Sequence, residues 1–353
     1  MDLQGGMVRA KNSKHDWLSF GAPSSSCSIY REHGPGKATG LFTLELTTSD
    51  SSEPLHVIGD ASRVEPFFTR GSGRGRDITA AAERRPESWP VGDGTLGWYG
   101  NWYTIARAEC GPGSREDAPE LLHVKARADY QDVPAEDRDR LTRIARSATA
   151  ELADRLGCRT RLPALPDAPS APVPSALRPA RTAEGTCSWF ARHIRERGQG
   201  RLPDRALAVP ARTANPADGC LLAASPEQVG RIAEGLAGER LESARDALTI
   251  SPWWLRAASY FGAEAGSVGY QVPGGEVKRI EAGTGGHTID IWWASSLCGG
   301  KPALHTLSSN YPYGDVVGSR AMSDLFRAYV ADTAKRRGCT RVADPGSEGP
   351  DRS

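Results

Sequence analysis

Two nine-residue stretches decide the fold: WYTIARAEC, Trp102 to Cys110, and DIWWASSLC, Asp290 to Cys298. Each carries adjacent aromatic rings, fits the two-residue period of a strand, and ends on Cys followed at once by Gly. An extended segment with a Leu-His pair comes next, Leu122-His123 in one place and Leu304-His305 in the other. His123 lies 13 positions after Cys110 and His305 only 7 after Cys298, a difference that surface loops absorb easily. Both segments then run into a helix that closes on Gly-Cys, at Gly157-Cys158 and Gly338-Cys339. At an offset of 181 residues, Leu141, Ile144, Ala145, Ala148 and Ala153 fall on Met322, Leu325, Phe326, Tyr329 and Ala334, a set spaced for one apolar helical face. Gly at the helix end suits a left-handed cap, which only Gly adopts without steric cost.

Working upstream, Cys27 precedes Cys110 by 83 residues and Cys220 precedes Cys298 by 78, each opening a strand-like run, CSIY and CLLA. Cys187 lies 33 residues before Cys220, so its counterpart would stand about six positions before Met1. The expectation is a first copy that begins inside a domain, with a natural product extending upstream and secreted or anchored through that extension. Between the copies, residues 161–181 carry Pro at 163, 166, 169, 172, 174 and 179, which predicts a polyproline-like linker. Ser225-Pro226-Glu227-Gln228 is a capping box with Pro at the first helical position. Together these give an α+β plan of two tandem homologous domains, each a mainly antiparallel sheet packed with a long helix ending in Gly-Cys. The expected boundaries are 1–160, a linker at 161–182, 183–343, and a tail at 344–353.

Composition bounds the function. The 353 residues carry formal net charge +1 and are 39% hydrophobic; mean hydropathy is −0.47 and the pI about 7.6. No apolar run approaches the ~20 residues of a membrane-spanning helix, and a balanced charge argues against a nucleic-acid partner. The seven cysteines, at 27, 110, 158, 187, 220, 298 and 339, contain no C-x-x-C pair, so a cysteine metal site is not expected, and no cofactor motif is found.

The chemical candidates are few. His287 and Asp290 stand three apart before a strand, with Glu281 nearby, but nothing like Gly-x-Ser-x-Gly accompanies them. The run at 71–75, GSGRG, lacks the Gly-Lys-Ser/Thr ending of a phosphate loop. Arg63, Arg70, Arg74 and Arg76 beside Phe67 and Phe68 are interrupted by acids and read as a solvated loop. His123 and His305 are histidines at matched positions and read as strand residues of a shared fold. The adjacent pairs Trp98-Tyr99, Trp102-Tyr103, Trp253-Trp254 and Trp292-Trp293 are harder to dismiss, because neighbours on a strand face opposite ways and packing explains one ring of each. Trp102, Trp254 and Trp293 are the candidates for a binding surface.

In the Cys-Gly strand, the Leu-His strand and the helix ending Gly-Cys, the chain resembles envelope proteins of high-GC actinomycetes, streptomycete in style, in which an Arg- and Ala-rich extracytoplasmic region repeats a disulfide-bearing α+β unit behind a membrane anchor. The similarity covers about residues 1–160 and 183–343. It implies an extracytoplasmic location and supplies no catalytic residues. Four cysteines in the second copy allow three connectivities. Cys298 with Cys339 and Cys187 with Cys220 is the one that recurs in the first copy, as Cys110 with Cys158, leaving Cys27 over; number alone does not decide the order. The favoured function is a non-enzymatic binding or accessory module whose partner is a cell-envelope protein or glycan. The alternative is a hydrolase of envelope material using His287, Asp290 and Glu281.

Overall fold

The computed structural model describes residues 7–12, 25–34, 37–51, 54–59, 65–69, 77–130, 132–272 and 276–344. The run at 71–75, Arg63, Arg70, Arg74, Arg76 and the tail beyond 344 lie outside them. The chain divides into two compact units, one of residues 1–56, 88–173 and 214–216, the other of 57–87, 174–213 and 217–353. Both combine antiparallel sheet with helix, the α+β composition expected.

The first unit holds β1 (Met7–Asn12), β2 (Ser25–Gly34) and β3 (Lys37–Thr48). After a short β4 (His56–Ile58) come β5 (Trp89–Pro90), β6 (Gly97–Tyr99), β7 (Tyr103–Glu109), β8 (Leu121–Ala128) and helix α1 (Ala135–Arg155). Seven strands form one sheet in the order β1-β2-β3-β8-β7-β6-β5. Alternation along β7 and β8 turns Ala106, Ala108, Leu122, Val124 and Ala126 into the core that also takes Leu141, Ala145 and Ala153 of α1. The opposite face carries charge, with Lys125 paired to Glu45 at 3.1 Å and Arg127 to Asp129 at 3.2 Å.

The second unit runs through β9 (Arg178–Pro179), α2 (Ser188–Arg197), β10 (Arg205–Ala208), β11 (Ala217–Ala223), α3 (Pro226–Ala233), α4 (Glu239–Ala247) and β12 (Trp254–Phe261). It continues with β13 (Val268–Gln271), β14 (Val277–Arg279), β15 (Gly285–His287), β16 (Ile291–Cys298), β17 (Lys301–Ser309), α5 (Tyr311–Val317), α6 (Ser319–Arg337) and β18 (Cys339–Thr340). The main sheet has the order β15-β16-β17-β12-β11-β10-β9, with β18 added beside β16, and β14-β13-β4 form a small second sheet. The Ser225 hydroxyl caps α3, accepting from the Gln228 amide at 3.1 Å.

Both faces of the main sheet are covered. On one, Leu255, Ala257, Trp292, Ala294 and Leu307 pack with Trp189, Phe190, Leu325, Phe326 and Tyr329 of the helices. On the other, Ala258, Tyr260, Ile291 and Leu304 meet Val268 and Ile280, while Leu221, Ala223 and Trp254 meet Phe67 and Ala82.

The expected boundary at 160 does not describe the compact units. Residues 57–87 join the second because its sheet supplies their partners: Arg256 forks onto Glu87 at 2.6 and 3.0 Å, Arg205 reaches Asp77 at 2.6 Å, and Thr79 donates to the Ala224 carbonyl. Gly219 permits the first of these, since a Cβ there would come within 2.1 Å of a Glu87 carboxylate oxygen. The proline-rich stretch is docked rather than free. Proline removes the ladder donors but leaves carbonyls and neighbouring amides, and these find side chains: Arg146 donates to the Pro163 carbonyl, Asp139 accepts from the Ser170 amide, and Asn101 accepts from the Val173 amide.

Counted from the strand that leads to the Cys-Gly turn, the sheets run β7-β8-β3-β2-β1 and β16-β17-β12-β11-β10, placing Cys27 on β2 and Cys220 on β11 in the same lane. The register departs from the sequence match by one residue. Ala106 pairs with Val124, but Ala294 pairs with His305. Val124 therefore holds the place of His305, and His123 that of Leu304, so the two histidines face opposite ways.

Three cysteine pairs stand at disulfide distance, Cys110–Cys158, Cys187–Cys220 and Cys298–Cys339, while Cys27 is free and half-buried. Among the described residues no helix is long and apolar enough to cross a membrane. A Cys110→Ser, Cys158→Ser double variant opens a loop of 48 residues, and in the chain-entropy account loses about 4 kcal/mol in urea unfolding. Cys27→Ser is expected to change stability by less than about 1 kcal/mol.

Candidate functional site

Two of the three acid-base candidates, His287 and Asp290, are each held by Thr288. The His287 Nδ1–H donates to the Thr288 carbonyl at 3.3 Å, the Thr288 hydroxyl donates to Asp290 at 3.1 Å, and the His287 ring stacks on Trp292. Burial raises the Asp290 pKa, partly offset by the Thr288 hydroxyl. Glu281 is exposed on a turn where its carbonyl takes the Thr284 hydroxyl. No nucleophile is brought to them by these bonds.

The tryptophans separate by the covering of their sheets. Trp254 is 2% exposed, its indole N–H donating to Glu65 at 3.1 Å beneath Phe67, so it offers no ring to a partner. Trp253 is also buried, stacked on Tyr313; both members of this pair are absorbed because both sheet faces are covered. Trp292 is buried among the helices, whereas Trp293 is half-buried, stacked on Tyr270 at 5.5 Å over Gly286 and donating to the Thr284 hydroxyl. Trp102 is half-buried and set edge-on to Tyr103. Trp293 and Trp102 thus remain on the surface of their respective units.

His305 has no exposed surface and sits in a hydroxyl cradle. Ser259 Oγ lies 2.7 Å from Nδ1 and Ser296 Oγ 2.9 Å from Nε2, with Tyr329 OH 2.6 Å beyond Ser259. Burial, and then the fields of Arg336 and Arg337, push its pKa down to about 4. The ring is neutral at pH 7, one nitrogen donating and the other accepting, and a hydroxyl satisfies either. The guanidiniums are themselves neutralised, Arg337 by buried Asp218 at 2.9 Å and Arg336 by Asp332 at 2.8 Å.

The open feature of the second unit is a cleft of about 850 Å³ between the end of α2 and the side of α6. Arg197, Arg201 and Arg327 line it with His193, against the carboxylates of Glu196 and Asp324. Its floor loop, Gly198-Gln199-Gly200, turns on two glycines at φ +87° and +49°, and a Cβ at either would meet nothing within 4 Å, so the backbone there is bare. Arg201 is anchored by the Val316 carbonyl at 3.0 Å, and Arg327 lies 4.0 Å from Asp324 and 3.6 Å from Asp344. Burial, reinforced by Arg197, holds the His193 pKa below its ordinary value. A neutral imidazole and three guanidiniums form a donor-rich pocket fitted to an anion. Sequence reading passed over these residues; the signal was present in RHIRERGQGR, Arg192 to Arg201, a cationic helix end running into Gly-x-Gly.

No family model, curated protein or solved structure matches this chain.

The His305 pKa gives a test of the cradle. A histidine held neutral contributes its full stabilisation above the unfolded value near 6.5 and loses it as pH falls toward 4. Urea unfolding is expected to show about 3 kcal/mol less stability at pH 4 than at pH 6.5 from this residue. His305→Gln, compared at the same two pH values, lacks that part of the loss.

Proposed function

We propose that this protein is a non-enzymatic extracytoplasmic binding module of the cell envelope, and that the α2–α6 cleft of the second unit receives an anionic group carried by an envelope polymer. The observation that carries the reading is the donor set: three arginines and a neutral histidine around one open cavity, with two carboxylates to limit it. Guanidinium forks suit phosphate and carboxylate, and the bare Gly198 and Gly200 backbone admits close approach. Three disulfide-distance pairs fit an oxidising, extracytoplasmic compartment, in keeping with the actinomycete envelope resemblance.

The corresponding strand orders support two copies of one plan, each with a helix leading to a Gly-Cys end: Gly157 at φ +67° and Gly338 at φ +63°. On this reading the copies have diverged in what their helix faces offer, and the cleft is a property of the second. The hydrolase alternative gains nothing from Thr288, which orients His287 and Asp290 separately.

Inorganic sulfate, whose charge is constant between pH 5 and 8, is the probe. Calorimetry is expected to show one sulfate bound, with affinity falling at least tenfold in an Arg197→Ala, Arg327→Ala double variant. Binding also tightens below pH 6, because a bound anion favours the imidazolium of His193, and His193→Gln removes that tightening; Arg197, Glu196 and Asp324 are the charges facing the ring. Equal affinity in the wild type and the double variant contradicts the assignment.

A further inference from the structure

The Cys298–Cys339 disulfide differs from the other two in its surroundings. Both its cysteines are half-buried, whereas Cys187–Cys220 is buried at both ends and Cys110–Cys158 at Cys158, so a reductant reaches either sulfur of this bond most easily. It is also the one with an imidazole at its side: a His305 ring nitrogen and the two sulfurs all lie within 4.8 Å of one another. Ser296 identifies the nitrogen, its hydroxyl standing 2.9 Å from Nε2 and 3.4 Å from the Cys298 sulfur. Nδ1 is turned the other way, held by Ser259.

The two sulfurs do not depend on their bond to stay together. Cys298 and Cys339 are directly opposed in the β16–β18 ladder, next to Leu297 and Thr340, and the Ala343 amide continues the pairing onto the Ser295 carbonyl at 2.8 Å. Cleaving the disulfide leaves two thiols facing His305 on a backbone frame that persists. Ligands on a tetrahedral zinc stand about 3.5–3.8 Å apart, from Zn–S near 2.3 Å and Zn–N near 2.0 Å, a separation the released thiolates reach by small rotations. The first unit supplies an internal contrast, because the place of His305 is taken there by Val124, an apolar member of the cluster around Cys110 and Cys158.

We propose that Cys298, Cys339 and His305 form a redox-gated site for a soft divalent cation of the zinc type, closed as a disulfide and opened by a dithiol reductant. In the opening step the reductant's thiolate attacks one sulfur and its second thiol displaces the mixed disulfide. The reductant leaves as its own disulfide, having given two electrons and two protons to Cys298 and Cys339. Zinc then binds both sulfurs and Nε2, releasing those two protons to solvent. In the tautomer with Nδ1–H donating to Ser259, and Ser259 donating in turn to Tyr329, Nε2 is the nitrogen left for the metal.

The test uses the full chain, titrated anaerobically with cobalt(II) before and after treatment with a phosphine reductant. With limiting reductant, alkylation mapped by mass spectrometry is expected at Cys298 and Cys339 before the other four bonded cysteines. The reduced wild type is expected to bind one cobalt with a thiolate charge-transfer band and tetrahedral visible bands, and the oxidised protein none. His305→Asn weakens binding at least a hundredfold, and Cys298→Ser, Cys339→Ser, whose strand frame is kept, abolishes the band; near-UV circular dichroism verifies that both variants are folded. Cys110→Ser, Cys158→Ser keeps it. The proposal is overturned if the reduced wild type shows no tetrahedral thiolate spectrum, or if the Cys298→Ser, Cys339→Ser protein binds as the wild type does.

Discussion

The second unit is organised by one constraint: its main sheet is buried on both faces. Helices cover one side, but the other requires a further layer, which the sequence next to the strands provides only in part. The chain meets this with residues 57–87 and the small β14-β13-β4 sheet. Covering that face also buries Glu87, whose carboxylate meets the half-buried Arg256 with a two-point fork that raises the Arg256 pKa. Such a pair adds little net stability over apolar packing, yet removing Arg256 leaves a buried carboxylate without its counter-charge, so the pair fixes which segment lies on this face more than how tightly it lies there. Glu65 shows the same logic with a neutral partner. Burial raises its pKa, and the Trp254 indole and the Phe67 amide satisfy its oxygens.

This constraint explains what was legible in the sequence and what was not. The strand ending in Cys, the helix face of Leu141 and Ala145 against Met322 and Phe326, and the Ser225 cap are local patterns, and local sequence specifies them. The α+β composition follows from those. The covering of the second face is a long-range choice written in partners 128 to 189 residues apart, such as Asp77 with Arg205 and Glu65 with Trp254, and no periodicity announces it. Hence Trp254, a surface candidate by strand alternation, is a core ring in the structure. The Leu-His match failed for a related reason. Identity at one position is not identity of lane: a one-residue difference in the Cys-to-strand connection turns His123 and His305 to opposite faces.

Histidines in this protein are set by their surroundings toward different ends. His305 is held neutral by burial and by the fields of Arg336 and Arg337, with a hydroxyl at each ring nitrogen. His193 is neutral at the mouth of a cleft, beside Arg197, where an arriving anion reverses the balance. The first stands next to a disulfide; the second belongs to an open cavity. Helix ends are where such a cavity is cheaply made, since the last turn has carbonyls to offset and cationic side chains gather there, as Arg195 and Arg197 do at the end of α2.

The claim that this helix-end cleft is the binding site is met most directly by following backbone amide chemical shifts in the isotopically labelled protein as sulfate is added. The account predicts that the largest changes fall on His193, Arg197, Gly198 and Gly200, saturating with one dissociation constant. Changes confined to other segments, with residues 193–201 unmoved at saturation, would contradict it.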